Sequence, residues 1–248
     1  MPQIDDFLAG CPDKDGRLWL FSIGSTGALV SLPDSETDRR AFVDWIRKTV
    51  PFSADHRHPG NAFAHLRSTI LKSGLTIPVA GGRPVGLKAN LLENTAGRKS
   101  RPITMTLFSK GDDVSLAREE FTVEGSGWID MIEISGRVME IVGRSGIADG
   151  QVFVGALDER AAVVTIEDEM RLVLDAADFI DGLTRKAHGF DRKTAGAVAA
   201  ALLGPTVAVP LVKGRLELGT WQQLMVMDLS GGGTKRIMVD VIGGGSEG

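Results

Sequence analysis

The sequence predicts two copies of one domain, each made of both helices and strands. The first observation is a repeated stretch, because residues 71–83 and 203–215 carry proline, glycine and arginine at the same positions. The matching pairs are Pro78 with Pro210, Gly82 with Gly214 and Arg83 with Arg215. Upstream of this stretch, residues 15–32 parallel residues 149–166. The matching segments of helical character between these blocks contain Asp44-Trp45-Ile46 and Asp178-Phe179-Ile180.

Length and composition agree with two domains of ordinary size. The chain has 248 residues, of which 43% are hydrophobic and 24% charged, with a formal net charge of -4. These values are typical of a soluble globular protein, and no part of the chain is basic enough for a nucleic-acid groove. We predict one domain at residues 1–110, a second at 116–243 and a short polar linker at 111–115.

The single cysteine and the N-terminus indicate a cytoplasmic protein. Cys11 has no possible disulfide partner in the chain and excludes a CxxC-type metal site, which fits a reducing compartment. The first residues contain neither a basic nor an apolar region of the kind that signal peptides carry. The sequence therefore predicts cytoplasmic localisation.

One segment tests the prediction of a soluble chain. Residues 194–212 carry no charged side chain and are nearly long enough to span a membrane. Pro205 and Pro210 interrupt them, however, and the equivalent segment of copy one contains the charged Arg67 and Lys72. We therefore predict a buried helix end followed by a buried strand, and no membrane span.

Copy one begins with a predicted short helix at residues 4–9, followed by two strands within residues 18–32. The strands are joined by the tight turn Gly24-Ser25-Thr26-Gly27. Glycines that flank small hydroxyl side chains permit close approach of the backbone to a ligand, whereas the simpler interpretation is a strand connection. The turn alone leaves both interpretations open.

The rest of copy one alternates helices and strands. Residues 38–50 place apolar side chains at helical spacing with charged ones between them, which predicts an amphipathic helix on a sheet. Residues 61–71 predict a second helix, with Asn61 as its N-cap. The strands that follow are predicted at residues 75–79, 85–92 and 103–108.

Copy two starts with segments that copy one lacks. Residues 120–124 and 128–134 are rich in β-formers, so copy one is expected to leave a sheet edge open or to borrow a strand. Residues 224–229 and 236–242 are predicted to form a hairpin around the turn at 230–233. The other predicted elements are helices at 134–145, 170–186 and 194–203 and extended chain at 151–166.

Histidines cluster in the polar loop before the second helix. His56, His58 and His65 are three of the four histidines in the chain. Imidazoles this close together can bind a divalent metal or transfer protons, because their pKa lies near neutrality. The alternative is that these are solvated loop histidines, since the spacing matches no established metal motif.

These residues carry a resemblance to the YjbQ family, named for secondary thiamine-phosphate synthase activity. The matching motifs are Gly-Arg-Leu-x-Leu-Gly-Thr-Trp-Gln-Gln at 214–223, the turn at 24–28 and His-Pro-Gly-Asn-Ala-Phe-Ala-His at 58–65. The resemblance implies an α+β domain built on a distorted β-sandwich with packed helices. It also implies a homo-oligomer, commonly a trimer, with sites near subunit contacts.

Each copy departs from the family pattern in a different motif. Copy one retains the turn and the histidines, although Phe63 replaces a further family histidine and residues 87–90 have lost Gly-Thr-Trp-Gln. Copy two retains that motif at 219–222. Its turn has become Asp158-Glu159-Arg160, and its two histidine positions are Ala195 and Ala197. Complementary losses predict a composite pocket shared by the two copies.

The composite pocket is expected to combine residues of both copies. Its members are Ser25, Thr26, His58, Asn61 and His65 from copy one and Arg215, Thr220, Trp221 and Gln222 from copy two. His65 and His58 are the candidate acid–base residues, with His58 alternatively a metal ligand. Arg215 and the N–H groups of residues 24–27 would bind phosphate, and Trp221 would contact a heterocycle.

The resemblance implies a small phosphorylated ligand and weak thiamine-phosphate synthase activity. That reaction normally requires Mg²⁺ at a pyrophosphate, and the sequence singles out no carboxylate cluster to hold it. The cofactor is therefore unidentified, with a divalent metal suggested by the histidines. The competing hypothesis is a non-enzymatic metal-binding, ligand-binding or assembly protein whose sites have decayed, because fold membership does not establish activity.

Overall fold

The structure, a computed structural model, describes residues 2–52, 55–86, 88–94, 100–109 and 114–245. We call the part up to residue 109 domain one and the part from residue 114 domain two. The boundaries at 1–110 and 116–243 stay a prediction. The predicted linker at 111–115 lies mostly outside the described residues.

A run of elements in domain one recurs in the same order in domain two. The elements of domain one are α1 (Pro2–Gly10), β1 (Gly16–Ser22), β2 (Gly27–Leu32), α2 (Glu36–Thr49), α3 (Ala62–Leu71), β3 (Gly74–Ala80), β4 (Arg83–Pro84), β5 (Lys88–Glu93) and β6 (Ile103–Ser109). Those of domain two are β7 (Ser115–Gly125), β8 (Asp130–Glu133), α4 (Ser135–Ser145), β9 (Ile147–Ala156), β10 (Ala161–Glu167), α5 (Met170–Asp181), α6 (Arg192–Leu203), β11 (Thr206–Val212), β12 (Arg215–Leu216), β13 (Gln222–Asp228) and β14 (Gly233–Gly245).

The strands form equivalent antiparallel sheets in the two domains. The described strands of domain one have the orders β4-β3-β1-β6 and β2-β5, and those of domain two have the orders β12-β11-β9-β14-β7 and β10-β13-β8. Equivalent strands occupy equivalent places, so the predicted α+β class with two related domains is confirmed. β7 and β8 each extend one sheet of domain two, and no described strand of domain one fills the corresponding positions.

The predicted C-terminal hairpin is wrong. β13 pairs with β10 and β8, whereas β14 pairs with β7 and β9 in the other sheet. The connecting turn is held by Asp228, which accepts hydrogen bonds from the N–H groups of Ser230 and Gly232. Three successive glycines at 231–233 adopt positive φ, so the chain turns from one sheet into the other.

One predicted helix differs in detail from the structure, whereas the uncharged segment follows the prediction of a helix and then a strand. α5 ends at Asp181, and a π-helical turn at Gly182–Lys186 completes the predicted helix at 170–186. The uncharged segment at 194–212 forms α6 and β11. None of the helices within the described ranges has the length and apolar character that crossing a membrane requires.

Buried apolar side chains of the described residues form three clusters, two of which contain residues of both domains. Domain one adds only Phe21 to the first of these, whereas the second is shared extensively. Domain one contributes Ile46, Val50, Ala62, Phe63, Ala64 and Leu66 to this shared cluster. Domain two contributes Val164, Ile166, Leu172, Ala176, Ile180 and Leu203 among others. β10 supplies several of these residues because it is rich in β-branched side chains and buried on both faces. Apolar burial therefore continues from one domain into the other.

Helix α3 lies between the domains. It contacts β2 of domain one and β10, α5 and α6 of domain two. Residues 62–69 are all buried, which is the pattern of a helix enclosed on every side. Ser68 Oγ donates to Ala64 O, and Thr69 Oγ1 donates to His65 O, so these hydroxyls are satisfied within the helix. His65 therefore enters the interior on an enclosed and well-supported helix.

Two turns, one from each domain, meet at the interface. Residues 24–27 connect β1 to β2, and residues 219–222 lead into β13. The two backbones approach so closely that a Cβ atom at Gly219 would lie 2.7 Å from Gly24 Cα. Gly24 also has φ +107, a conformation that side chains disfavour. Glycine at both positions therefore permits the contact between the turns.

We predict that Gly219→Ala lowers the free energy of unfolding by about 1–3 kcal/mol, because the added methyl group forces the turns apart. Urea unfolding measures this change. Gly143→Ala is the matched control, since it lies in α4 and a Cβ there would meet no atom within 4 Å. The control should be neutral or stabilise the chain by up to about 1 kcal/mol. Equal effects of the two substitutions would contradict the close approach.

Asp181, at the end of α5, anchors the segment before β8. Its carboxylate accepts hydrogen bonds from Arg185 Nη2 at 2.7 Å and Trp128 Nε1 at 2.9 Å, and Lys186 Nζ lies 3.2 Å away. The Arg185 guanidinium is the main cause that holds the pKa of this carboxyl well below its usual value of 3.8, with burial opposing it. The ionised carboxylate is therefore the form that the fold stabilises.

We predict that Asp181→Asn lowers the free energy of unfolding by about 1–3 kcal/mol at pH 7. Because folding lowers this pKa, the stabilisation is complete above the usual value of 3.8 and is lost as the pH falls below it. Urea unfolding at pH 7 and pH 3 should show a smaller difference from wild type at pH 3. The control is Asp44→Asn, which changes an exposed carboxylate and should alter the free energy of unfolding by less than about 0.5 kcal/mol. A pH-independent difference would refute this account of Asp181.

Candidate functional site

A carboxylate of domain two fixes the histidine loop of domain one. Asp175 of α5 is buried, and its Oδ1 and Oδ2 accept hydrogen bonds from the backbone N–H groups of Arg57 at 3.0 Å and His58 at 2.8 Å. The Arg57 side chain also binds Asp175 and reaches Asp178 at 2.6 Å. Domain two therefore sets the position from which His58 extends.

The His58 ring lies between oxygen atoms of both domains. Its Nδ1 is 2.8 Å from Glu169 Oε2, and its Nε2 is 3.1 Å from Asn61 Oδ1. Asn61 precedes α3 as predicted, but its side chain makes no capping hydrogen bond, so that part of the prediction is wrong. The Asn61 amide faces His58 instead. His58 and Arg171 hold the pKa of Glu169 near 2, with the His58 hydrogen bond as the larger cause.

His65 is deeply buried beside His58 and Glu167. The two imidazole rings meet edge to face with centroids 5.2 Å apart. His65 Nε2 lies 3.5 Å from Glu167 Oε2, and neither ring nitrogen has a well-aligned hydrogen-bond partner among the described residues. Burial, followed by the charges of His58 and Arg101, lowers the pKa of His65 to about 4, against a weak contact with the Ser25 backbone. The ring is therefore neutral at neutral pH.

Gln222 joins the two turns at the domain interface. Its buried Oε1 accepts hydrogen bonds from the N–H groups of Gly24 at 2.9 Å and Gly219 at 3.1 Å. Its Nε2 donates to Ser73 Oγ at 3.3 Å. The sequence predicts that the Gly24 N–H binds phosphate, but in the structure it donates to the Gln222 side chain of domain two. Gln222 is a structural link as well as a member of the predicted pocket.

Arg101 occupies the space that the glycines of the first turn leave open. Its Nη2 donates to Thr26 Oγ1 at 2.6 Å, and its Nη1 donates to Ile23 O at 3.1 Å. A Cβ at Gly24 would lie 2.5 Å from this guanidinium. Its Nε also pairs with Glu93 Oε2 at 2.7 Å. The glycines of this turn therefore make room for the Arg101 side chain of domain one.

The remaining predicted pocket residues are more exposed. Trp221 is 69% exposed, and Thr220 beside it is exposed as well. Ser25 is half-buried near His65. Arg215 lies on β12, the outer strand of the five-stranded sheet, and is exposed. The structure thus joins the histidines to domain two through carboxylates and joins the turns through Gln222.

Several residues of the site escaped the sequence analysis. They are Glu167, Glu169, Asp175 and Arg101. One signal was available, because Glu167 and Glu169 follow directly on the apolar run of β10, where a buried strand delivers side chains to the interior. Asp175 and Arg101 carried no such signal, since their contacts depend on the packing of distant segments.

Comparison with known sequences identifies relatives of each half. The chain matches the family described as UPF0047 protein YjbQ-like over residues 2–106 and 119–244. The UPF0047 protein of Archaeoglobus fulgidus is 32% identical over 128 residues, which cover 50% of this chain and 99% of the relative. The UPF0047 protein of Methanothermobacter thermautotrophicus is 28% identical over 130 residues, which cover 50% of this chain and 91% of the relative.

Solved structures match in the same way. The crystal structure of a YbjQ-like protein of unknown function from Sulfolobus solfataricus is 26% identical, with a TM-score of 0.50, and covers 53% of this chain and 99% of that chain. A hypothetical protein from Aeropyrum pernix is also 26% identical, with a TM-score of 0.47, and covers 50% and 96%. The family match extends over both halves, so the chain belongs to the UPF0047 YjbQ-like family as a tandem duplication.

Proposed function

We propose that the two domains share one site, at which the chain binds a small phosphorylated molecule and supports thiamine-phosphate synthase-type transfer. The observation that carries this proposal is the meeting of half-sites. His58 and His65 come from domain one, and Glu167 and Glu169, which face them, come from domain two. Each domain thus supplies groups to the site that the other domain does not.

The turn contacts support the same arrangement. Gln222 binds Gly24, so the retained motif of domain two meets the retained turn of domain one. Trp221 precedes Gln222 and is largely exposed, which leaves its indole face free to contact a heterocycle. A ligand with a heterocyclic ring and a phosphate therefore suits the groups at this interface.

The charge around the histidines constrains how such a ligand binds. The groups facing them are the carboxylates Glu167 and Glu169, which repel a phosphate. Arg101 is close by, but its guanidinium already pairs with Glu93. A phosphorylated ligand therefore requires an additional cation. Two roles are open to the histidines, which either transfer a proton or hold that cation.

A specific observation favours the alternative of a non-enzymatic assembly protein. Thr26 and Gln222, both predicted to contact ligand, are engaged by Arg101 and by Gly24 respectively. In this alternative, the turns hold the domains together and the histidines remain from an ancestral site. Loss of ligand binding on mutation of the histidines distinguishes the two functions.

We also propose that the chain forms a homo-oligomer, with the trimer as the state that the family resemblance implies. Light scattering coupled to gel filtration should give three times the mass of 26.4 kDa. A strict monomer at micromolar concentration would contradict the trimer. The shared site would survive that result, because its described groups all belong to one chain.

We predict that His65→Ala and Trp221→Ala each weaken binding of thiamine phosphate by about 10-fold or more, because both remove groups from one pocket. The double variant should lose no more than the weaker-binding single variant, since residues that share a ligand are not additive. Isothermal titration measures binding. Product formation from the aminopyrimidine pyrophosphate and the thiazole phosphate measures activity with Mg²⁺ present.

Matched controls come from elsewhere in the chain. Trp45→Ala removes another exposed tryptophan, and His188→Ala removes an exposed histidine whose ring contacts Phe190. Both should bind thiamine phosphate like wild type. If neither site variant changes binding or turnover while the protein stays folded, the shared pocket is not the functional site and the assembly alternative is favoured.

A further inference from the structure

We propose that His58, His65 and Glu167 form a divalent transition-metal site between the domains, with Zn²⁺ as the ion best suited to these donors. The inference rests on the composite site proposed above, but not on its phosphorylated ligand. Two of the ligands come from domain one and the third comes from domain two. A bound metal ion would therefore link the two halves of the chain directly.

The separations of the donor atoms suit a metal ion. One nitrogen of each histidine and one oxygen of Glu167 all lie within 4.8 Å of one another. His65 Nε2 and Glu167 Oε2 are 3.5 Å apart, which is long for a hydrogen bond. Two ligands on a tetrahedral zinc ion with bonds of about 2.1 Å are about 3.4 Å apart. This pair already has that spacing, and no pair of these atoms needs to close by more than about 1.4 Å.

His65 supplies a second, independent observation. Its side chain is almost fully buried, and both ring nitrogens are without a well-aligned partner in the described part of the chain. Buried polar atoms are nearly always satisfied, and leaving one unpaired costs about 1–3 kcal/mol. A metal ion at Nε2 would satisfy one of these nitrogens. No described side chain offers the same compensation with good geometry.

The surroundings of His58 point the same way. When Nδ1 carries the proton and donates to Glu169, the lone pair of Nε2 faces the oxygen of Asn61 at 3.1 Å. A cation on Nε2 would also attract this oxygen. The contact between Nδ1 and Glu169 is then the carboxylate–histidine–metal arrangement common in metalloproteins. Glu169 therefore acts as a positioning residue that orients the His58 ring.

The donor set indicates the class of metal. Two imidazole nitrogens and one carboxylate favour zinc and its neighbours in the transition series over Mg²⁺ or Ca²⁺, which prefer oxygen ligands. Three protein ligands leave one position of a tetrahedral ion open, as in zinc sites that bind a further ligand. A phosphate oxygen fits that open position. The ion would then reverse the repulsion between the carboxylates and a phosphorylated ligand.

The test is direct metal binding by the full chain, produced without a histidine tag and stripped with a chelator that is then removed. Isothermal titration with ZnCl2 should give one Zn²⁺ per chain. Glu167→Gln and His65→Gln should each weaken this binding by at least about 10-fold, and Glu169→Gln by about 10-fold to 100-fold. Visible absorption of the Co²⁺-loaded chain should show bands of a four-coordinate ion that Glu167→Gln removes.

Controls separate the metal site from general carboxylate binding. Glu159→Gln changes an exposed glutamate of domain two, and His188→Ala changes an exposed histidine; both should bind Zn²⁺ like wild type. Because Glu167 is partly exposed, Glu167→Gln keeps the test valid if His65→Gln fails to fold. Absent Zn²⁺ binding, or equal binding by wild type and folded Glu167→Gln, would overturn the proposal.

The outcome is independent of the phosphorylated ligand. Zn²⁺ binding that depends on Glu167, without binding of thiamine phosphate, would leave the metal site standing and remove the proposed substrate. Binding of thiamine phosphate that survives Glu167→Gln and chelation, together with absent Zn²⁺ binding, would retain the ligand and overturn the metal site. Titration with Zn²⁺ alone, thiamine phosphate alone and both together separates these cases.

Discussion

Burial of α3 between the two domains is the interaction on which the rest of the structure depends. A helix whose residues 62–69 are all enclosed would expose apolar side chains in domain one alone, because domain two covers one side of it. The apolar residues of α3 join those of β10 and α5 in one cluster. This packing fixes the distance between His65 and Glu167, so the geometry of the site follows from the core.

Polar contacts then determine which groups face each other. Asp175 binds the backbone of residues 57 and 58, and Gln222 binds the backbone of Gly24. Both interactions place a side chain of domain two on main-chain N–H groups of domain one. Since these N–H groups lie at the interface, losing either partner would leave a partly buried donor without its hydrogen bond. The site is therefore held by directional bonds that apolar packing alone would not provide.

Local patterns predicted most elements, whereas long-range contacts could not be predicted. The spacing of apolar residues placed the helices and strands, and the repeat indicated two related domains. The hairpin prediction failed because two adjacent strands with a glycine turn do not reveal that the turn crosses between sheets. Asn61 has the residue type of an N-cap, but His58 competes for its side chain. Glu169 and Asp175 meet His58 across more than a hundred residues, which no local pattern reports.

Fusion of the copies changes how the shared site responds to dilution. A site formed between separate subunits comes apart when the protein is diluted. In this chain β6 ends at Ser109 and β7 begins at Ser115, so a short tether holds the halves at an effective concentration of about millimolar. Each copy can then lose site residues that the other copy supplies. Ala197, where domain one has His65, illustrates this freedom.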